Sequence, residues 1–223
     1  MDEDLEPEGI ASDCEPPSDQ EQTAVPTVAV VGIGASAGGL EAVRLLLADL
    51  PADTGLAIVF VQHLDPTHES SLTGILGRVT TMSVTEAPNG VLVEFNHVYV
   101  IPRNTELTIA NRMLKLSPRG QPPGPHMPID HFLRSLAHDC GSRAIGVILS
   151  GAGSDGALGL QAVKEAGGVT FAQEPATAEF ASMPQMAEAA TGADFVLPPA
   201  RIAAELARIA RHPHFAIRQL AEP

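Results

Sequence analysis

The sequence predicts an α/β fold in which a mostly parallel, doubly wound sheet carries helices on both faces and includes an inserted β-hairpin. Strand-like and helix-like segments alternate from Thr27 to about residue 212, which is typical of βαβ units. Several strand-like segments, such as TVAVVGI, are continuous β-branched apolar runs of the kind found in strands buried on both faces. Two short runs that flank Asn111 have the spacing of a hairpin instead.

The first half of the chain opens with a buried strand, TVAVVGI, followed by a helix over GGLEAVRLLLADLP. Apolar residues at helical spacing predict this helix, and Pro51 ends it. The segment GLAIVFVQH predicts the second strand, and HESSLTGILGR predicts a short helix. A β-rich part follows, with strands predicted over MSVTEA, NHVYVIP, ELTIAN and MLKLS, of which the last two form the hairpin around Asn111.

The second half begins with SPRGQPPGPHMP, whose Pro and Gly content predicts a loop. Regular alternation then resumes. Helices are predicted over IDHFLRSLAHDC, GALGLQAVKEAG, PQMAEAAT and ARIAAELARIAR, and strands over RAIGVILS, GVTFAQ and DFVLP. No internal repeat is found in the sequence.

Composition divides the chain into a disordered acidic tail over residues 1–24, one folded domain over 25–212 and a C-terminal tail over 213–223. Residues 1–22 contain nine acidic residues and no Lys or Arg, so most of the formal net charge of -14 lies in the first tail. The folded domain is only mildly acidic and lacks the basic surface of nucleic-acid-binding proteins. We therefore expect no nucleic-acid partner.

The termini and cysteines indicate a cytoplasmic protein. The acidic N-terminus does not resemble a secretory signal, and no apolar run has the length of a membrane span, so we expect no membrane insertion. Cys14 and Cys140 fit a reducing compartment, and Cys140 is predicted to be a small buried residue before the helix-ending Gly141. No Cys/His spacing resembles a zinc site, so no metal is expected.

Three chemically complementary residues follow the three most strand-like segments. Ser36 follows the first strand, His63 follows the second, and Asp155 follows AIGVILS within GAGSDG. Because parallel strands end at the same edge of a sheet, where α/β proteins place their ligand and catalytic groups, these side chains are expected to meet there.

The glycine cluster around Ser36 has two interpretations. As a dinucleotide-binding motif, Gly32-Ile33-Gly34 would precede a helix whose N-terminus holds phosphate. That motif requires an acidic residue at the end of the next strand, whereas this strand ends in Gln62-His63. A dinucleotide-binding module is therefore the weaker alternative.

As a serine hydrolase motif, the same cluster is G-x-S-x-G, from Gly34 to Gly38. Small neighbours allow a sharp strand-to-helix turn that exposes the serine hydroxyl, and the unpaired amides of the helix N-terminus can stabilise an oxyanion. Each residue also has a structural interpretation: Ser36 as a small residue at a helix start, His63 as a loop residue and Asp155 as the N-cap of the helix near Gly156. A catalytic Ser-His-Asp set explains all three together.

Five segments are distinctive: GIGASAGGLEA, VFVQHLDPTH, HMPIDHFLRSLA, VILSGAGSDGALGL and AQEPATAEFASMP. Together they resemble the catalytic domain of bacterial chemotaxis protein-glutamate methylesterases of the CheB type. The segments QHLDPTH and NHVYVIPRNTELTI are most similar to those of the methylesterase domain that is fused to a CheR-type chemoreceptor methyltransferase.

This resemblance implies a serine nucleophile at Ser36, a histidine base at His63 and an aspartate at Asp155, with no metal or organic cofactor. It also implies that backbone amides near Ala37 and Ala152 hold the oxyanion, in a pocket that includes Gly38 and Gly151. The implied substrates are methylated glutamates, and glutamines, on the cytoplasmic helices of methyl-accepting chemoreceptors. A methyltransferase or a regulatory protein is a further candidate partner.

The chain departs from better-known members of the family at two positions and in length. Ala37 stands where a threonine is common, and Ala152 where a methionine is common. The folded part begins near residue 25, which leaves no room for an N-terminal receiver domain of about 100 residues. We therefore expect either a free-standing esterase domain or a piece of a longer protein.

Overall fold

The computed structural model describes residues 28–63, 72–120 and 126–215. Its strands are β1 (Ala29–Ala35), β2 (Leu56–Gln62), β3 (Ser83–Glu86), β4 (Val91–Leu92), β5 (His97–Val100), β6 (Thr105–Ala110), β7 (Met113–Pro118), β8 (Ala144–Ile148), β9 (Val169–Gln173) and β10 (Phe195–Leu197). Its α-helices are α1 (Gly39–Asp49), α2 (Leu72–Leu76), α3 (Pro128–Cys140), α4 (Ala157–Glu165), α5 (Ser182–Thr191) and α6 (Pro199–Ala210).

Seven strands form one parallel sheet in the order β10-β9-β8-β1-β2-β5-β3. From β1 the chain first extends the sheet through β2 and later returns to add β8 on the other side, so the strand order reverses next to β1. Ligands of doubly wound sheets bind at such a reversal, at the carboxyl ends of the strands. The predicted α/β fold class is confirmed, and the Ser36 and Asp155 loops both leave the sheet at this reversal.

The β-rich middle of the chain divides between two sheets. β3 and β5 join the parallel sheet, whereas β4, β6 and β7 form a separate antiparallel sheet of three strands. The predicted hairpin is present as β6 and β7, with Ala110 paired to Met113. Asn111 and Arg112 form its two-residue turn, both with positive φ (51° and 58°), as the tight turns of twisted hairpins require.

Hydrophobic cores lie on both faces of the parallel sheet. α1 and α6 cover one face, and α3, α4 and α5 cover the other together with the antiparallel sheet. The helix predicted over residues 68–78 is described only as α2, because residues 68–71 lie outside the described residues. The predicted acidic tail over 1–24 and most of the predicted C-terminal tail over 213–223 also lie outside them.

Gly32 and Gly34 allow α3 to pack directly on β1. A Cβ atom on Gly34 would lie 2.2 Å from Ile129 Cγ2, and one on Gly32 would lie 2.7 Å from Leu133 Cδ2. Both helix residues are fully buried. The glycines of the possible dinucleotide motif are therefore covered by apolar side chains, which weighs against the dinucleotide interpretation.

Candidate active site

Ser36 lies in a tight turn between β1 and α1. Its amide donates a hydrogen bond to the Ser150 carbonyl (3.0 Å), and its own carbonyl accepts one from the Gly39 amide (2.9 Å). Gly38 has a φ of 69°, in the left-handed region that favours glycine. The turn leaves Ser36 partly exposed at the carboxyl edge of the sheet, which is the position a nucleophilic serine needs.

His63 is adjacent to Ser36 because β1 and β2 pair in parallel, with Ala35 opposite Gln62. The His63 Nδ1 and Ser36 Oγ atoms are 3.2 Å apart, which is hydrogen-bond distance. About a third of the His63 side chain is exposed, so a substrate can approach it from solvent. The pair therefore has the geometry of a serine and its general base.

Asp155 lies on the other side of His63. Its Oδ2 atom is 2.9 Å from His63 Nε2, although the Nε2–H bond is not aligned with that oxygen, so proximity rather than a straight hydrogen bond defines the contact. The Asp155 side chain is almost fully buried, at 2% exposed. The structure thus brings together the three residues predicted from the strand ends.

Two backbone amides of α3 hold the Asp155 carboxylate. The Ile129 amide donates to Oδ2 (3.0 Å) and the Asp130 amide to Oδ1 (2.8 Å). A buried carboxylate needs such partners, and the positive end of the helix dipole adds further stabilisation. Asp155 therefore caps α3, and its alternative role as the N-cap of α4 is wrong: that position belongs to Gly156, with no side-chain cap.

Asp130, in the first turn of α3, contacts α4 in turn. Its buried carboxylate accepts a hydrogen bond from the amide of Gly159 in the first turn of α4 (2.7 Å). Burial raises the pKa of Asp130, and the negative charge of Asp155 adds to that effect. A Cβ atom on Gly159 would lie 3.0 Å from Asp130 Cα, so the two helices approach each other closely here.

The predicted oxyanion residues lie around Ser36. Among the described residues, the amides of Ala37 and Ala152 donate no hydrogen bond, so both are available to an oxyanion. The Gly151 amide already donates to the Phe180 carbonyl (3.0 Å) and is therefore not available. Gly151 instead provides space, because a Cβ atom there would lie 3.0 Å from Ser36 Cβ.

Several groups near the site carried no clear sequence signal. Ser150 is buried, and its hydroxyl donates to the Ala37 carbonyl (2.9 Å), which fixes the loop after the nucleophile. Gln62 Nε2 makes a long hydrogen bond to the Ser36 carbonyl (3.4 Å). His126, from the predicted loop before α3, lines a cavity beside His63. These groups can be identified only from their positions in the structure.

Cys140 takes no part in the site. It is the last residue of α3 and is followed by Gly141 (φ 54°), as the sequence predicted, but it is partly exposed and not fully buried as predicted. Burial raises the pKa of its thiol to about 12, so Cys140 is not a thiolate nucleophile at neutral pH.

Within residues 28–63, 72–120 and 126–215, no group of three or more His, Cys, Asp or Glu side chains is arranged to hold a metal ion. The same ranges contain no helix with the length and apolar character needed to cross a bilayer.

Comparison with known proteins identifies related sequences over most of the chain. The family model for CheB methylesterase matches residues 31–206. Protein-glutamate methylesterase/protein-glutamine glutaminase 1 of Myxococcus xanthus is 37% identical over 186 residues, which cover 82% of this chain and 54% of the relative. Protein-glutamate methylesterase/protein-glutamine glutaminase 2 of Pseudomonas aeruginosa is 35% identical over 200 residues, covering 88% of this chain and 57% of the relative.

A solved structure agrees with these matches. The crystal structure of the Thermotoga maritima CheB methylesterase catalytic domain superposes with a TM-score of 0.76 at 30% identity. The superposition covers 82% of this chain and 99% of that domain. The chain spans about half the length of the curated relatives it matches, but nearly all of this isolated domain.

Proposed function

This chain belongs to the CheB methylesterase family, and on that premise we propose that it is a serine hydrolase acting on methyl-accepting chemoreceptors. It removes γ-methyl esters from receptor glutamates and deamidates receptor glutamines, in the cytoplasm. The observation that carries the proposal is the contact of His63 with Ser36 on one side and with Asp155 on the other. Residues 25–212 form the catalytic domain in this proposal.

The first chemical step is the attack of Ser36. With the imidazole proton on Nε2, the ring nitrogen on the Asp155 side, the Nδ1 lone pair accepts the Ser36 hydroxyl proton while Oγ bonds to the ester carbon. The negative charge that forms on the carbonyl oxygen is stabilised by the amides of Ala37 and Ala152. The buried carboxylate of Asp155 stabilises the imidazolium and keeps the ring in this tautomer.

The second half of the reaction releases the products. His63 returns its proton to the leaving methoxy oxygen, so methanol departs and an acyl-enzyme forms on Ser36. Water, deprotonated by His63, then attacks the acyl carbon. The bond from that carbon to Ser36 Oγ breaks, His63 returns its proton to Oγ, and the glutamate carboxylate is freed. For a glutamine substrate the same steps release ammonia instead of methanol. No metal or organic cofactor takes part in these steps.

Methanol release from a methylated receptor fragment tests the assignment. Ser36→Ala is expected to lower kcat by roughly 10⁶-fold, as removal of a triad nucleophile does in subtilisin. Ser142→Ala is the matched control, since Ser142 is exposed and precedes β8 at the opposite edge of the sheet. A Ser36→Ala variant that releases methanol at the wild-type rate overturns the proposal.

The same protein and receptor fragment distinguish the proposed function from three alternative functions. A serine esterase with another substrate would hydrolyse small soluble esters and leave the receptor fragment intact. A non-catalytic adaptor would bind the receptor fragment but resist fluorophosphonate labelling at Ser36. A dinucleotide-binding module would be protected from unfolding by NAD(P), an outcome that the covered Gly32 and Gly34 argue against. A fused methyltransferase and a regulatory partner both stay predictions.

A further inference from the structure

A cavity of about 140 Å³ lies directly beside His63. It is much larger than the roughly 10–15 Å³ that a single water molecule requires, so it has room for a small side chain. The polar part of its wall includes Gln62, Arg103, Arg119 and His126. None of these four residues has a role in the chemistry at Ser36 described above.

The open end of the β6–β7 hairpin brings the two arginines together. Thr105 at the start of β6 pairs with Pro118 at the end of β7, so the residues just outside this pair lie at the same end of the hairpin. The Arg119 amide donates to the Asn104 carbonyl (2.8 Å), which ties the two strand ends to each other. The hairpin therefore holds Arg103 and Arg119 on one cavity wall, next to His63.

The described residues that line the cavity carry mainly positive charge. Both guanidinium groups are permanently charged. Burial lowers the pKa of His126, and the charge of Arg119 lowers it further, so His126 is mostly neutral at pH 7. The carboxylate of Glu106 lies 3.8 Å from His126 Nε2 and offsets part of this charge. Gln62 Oε1 and His126 Nε2 are buried in the wall without a hydrogen-bond partner among the described residues.

The opposite side of the nucleophile turn has the reverse charge. A second cavity, of about 80 Å³, borders Gly38 and is lined by Glu179 and by Glu41, which also pairs with Arg44. The carboxyl edge therefore presents cations on the His63 side of Ser36 and carboxylates on the other side. A methyl ester or a carboxamide is uncharged, so neither arginine is needed to bind the scissile group itself. A cation such as Arg119 in this wall suits a separate anionic group.

We infer that the cavity formed by Arg103, Arg119 and His126 binds the carboxylate of an acidic side chain that flanks the scissile residue on the substrate. This inference rests on the proposed function and adds a determinant of substrate choice to it. Arginine suits this role because its planar guanidinium can donate two parallel hydrogen bonds to one carboxylate.

Helical peptides with one γ-methyl glutamate provide the test. In each peptide a single Glu or its neutral counterpart Gln is placed three or four residues before or after the ester. For the wild type at low salt, we expect kcat/KM to be about tenfold higher for one Glu position than for the matching Gln peptide, mainly through KM. In Arg119→Gln this ratio is expected to fall to about one.

Two further variants make the interpretation specific. Arg119→Glu is expected to prefer a peptide with Lys at the selected position, because the charges are then exchanged. Arg211→Gln, which removes the same charge from the exposed residue after α6, is expected to keep the wild-type ratio. Raising the salt to about 0.5 M is expected to reduce the preference for the acidic peptide, since exposed charges are screened.

The possible failures are distinguishable. If the wild type hydrolyses every peptide with the same kcat/KM, or if Arg119→Gln keeps the preference for Glu, the inference is overturned while the proposed function stands. If only the methylated receptor fragment loses methanol and no peptide does, the inference is overturned while the proposed function stands. If neither the fragment nor any peptide loses methanol although the protein is folded, the proposed function fails and the inference fails with it.

Discussion

Replacement of Asp155 by asparagine tests whether one carboxylate serves both the fold and the reaction. The wild-type side chain is 2% exposed and accepts hydrogen bonds from the Ile129 and Asp130 amides. Asparagine keeps one oxygen and turns an N–H group towards the other amide. One buried amide of α3 then lacks its acceptor, which costs about 1–3 kcal/mol, and the charge–dipole attraction is also lost.

The catalytic effect of Asp155→Asn is expected to be larger than its effect on stability. Without the carboxylate, the imidazolium that forms during attack is not stabilised and the His63 tautomer is not fixed. The corresponding loss in the chymotrypsin triad is about 10⁴-fold in kcat, and we expect a similar value for methanol release here. The loss should appear in kcat rather than in KM, because Asp155 does not face the substrate.

Urea unfolding and single-substrate kinetics measure the two effects on the same preparation. Asp49→Asn is the control, because Asp49 is exposed at the end of α1 and its replacement should change the unfolding free energy by less than about 0.5 kcal/mol. An Asp155→Asn variant with the wild-type urea midpoint and more than a tenth of the wild-type kcat would refute this account.

The remaining predictions concern packing and a buried acid. Gly34→Ala should lower the unfolding free energy by about 1–3 kcal/mol, because the new methyl group would overlap Ile129. Gly74→Ala is the control and should not lower it, because the space around Gly74 is open. Equal urea midpoints for the two variants would contradict this prediction. Burial raises the pKa of Asp130, so its folded form binds a proton more tightly than the unfolded chain. We therefore expect the wild type to lose stability relative to Asp130→Asn as pH rises from about 4 towards 7. The measurement is the difference between their unfolding free energies, and a difference that stays flat or rises with pH would contradict the prediction.

The three residues of the candidate triad were predictable because they follow strands. A continuous apolar run identifies a buried strand, and parallel strands end at a common edge, so Ser36, His63 and Asp155 were expected to meet. The same logic could not assign Asp155 its second role. Its amide partners lie 26 and 25 positions away along the chain, in the first turn of a helix whose packing against α4 no local pattern encodes.

The middle of the chain was less predictable for a related reason. The hairpin of β6 and β7 is local, and its turn residues signal it directly. The parallel pairing of β3 with β5 is not local, because β4 intervenes and belongs to the other sheet. The sequence could not place Arg103 and Arg119 at the site, since nothing in their own segments shows that the hairpin ends beside His63.

The N-terminus of α3 connects the cavity beside His63 to the position of Asp155. His126 and Pro128, at and just before its first residues, line the cavity beside His63. The next two amides, of Ile129 and Asp130, hold the carboxylate of Asp155. Asp130 in turn accepts from Gly159, so α4 fixes α3 in place. Because one rigid helix end contributes to both the cavity and the triad, a substrate that fills the cavity is positioned against the same framework that orients His63.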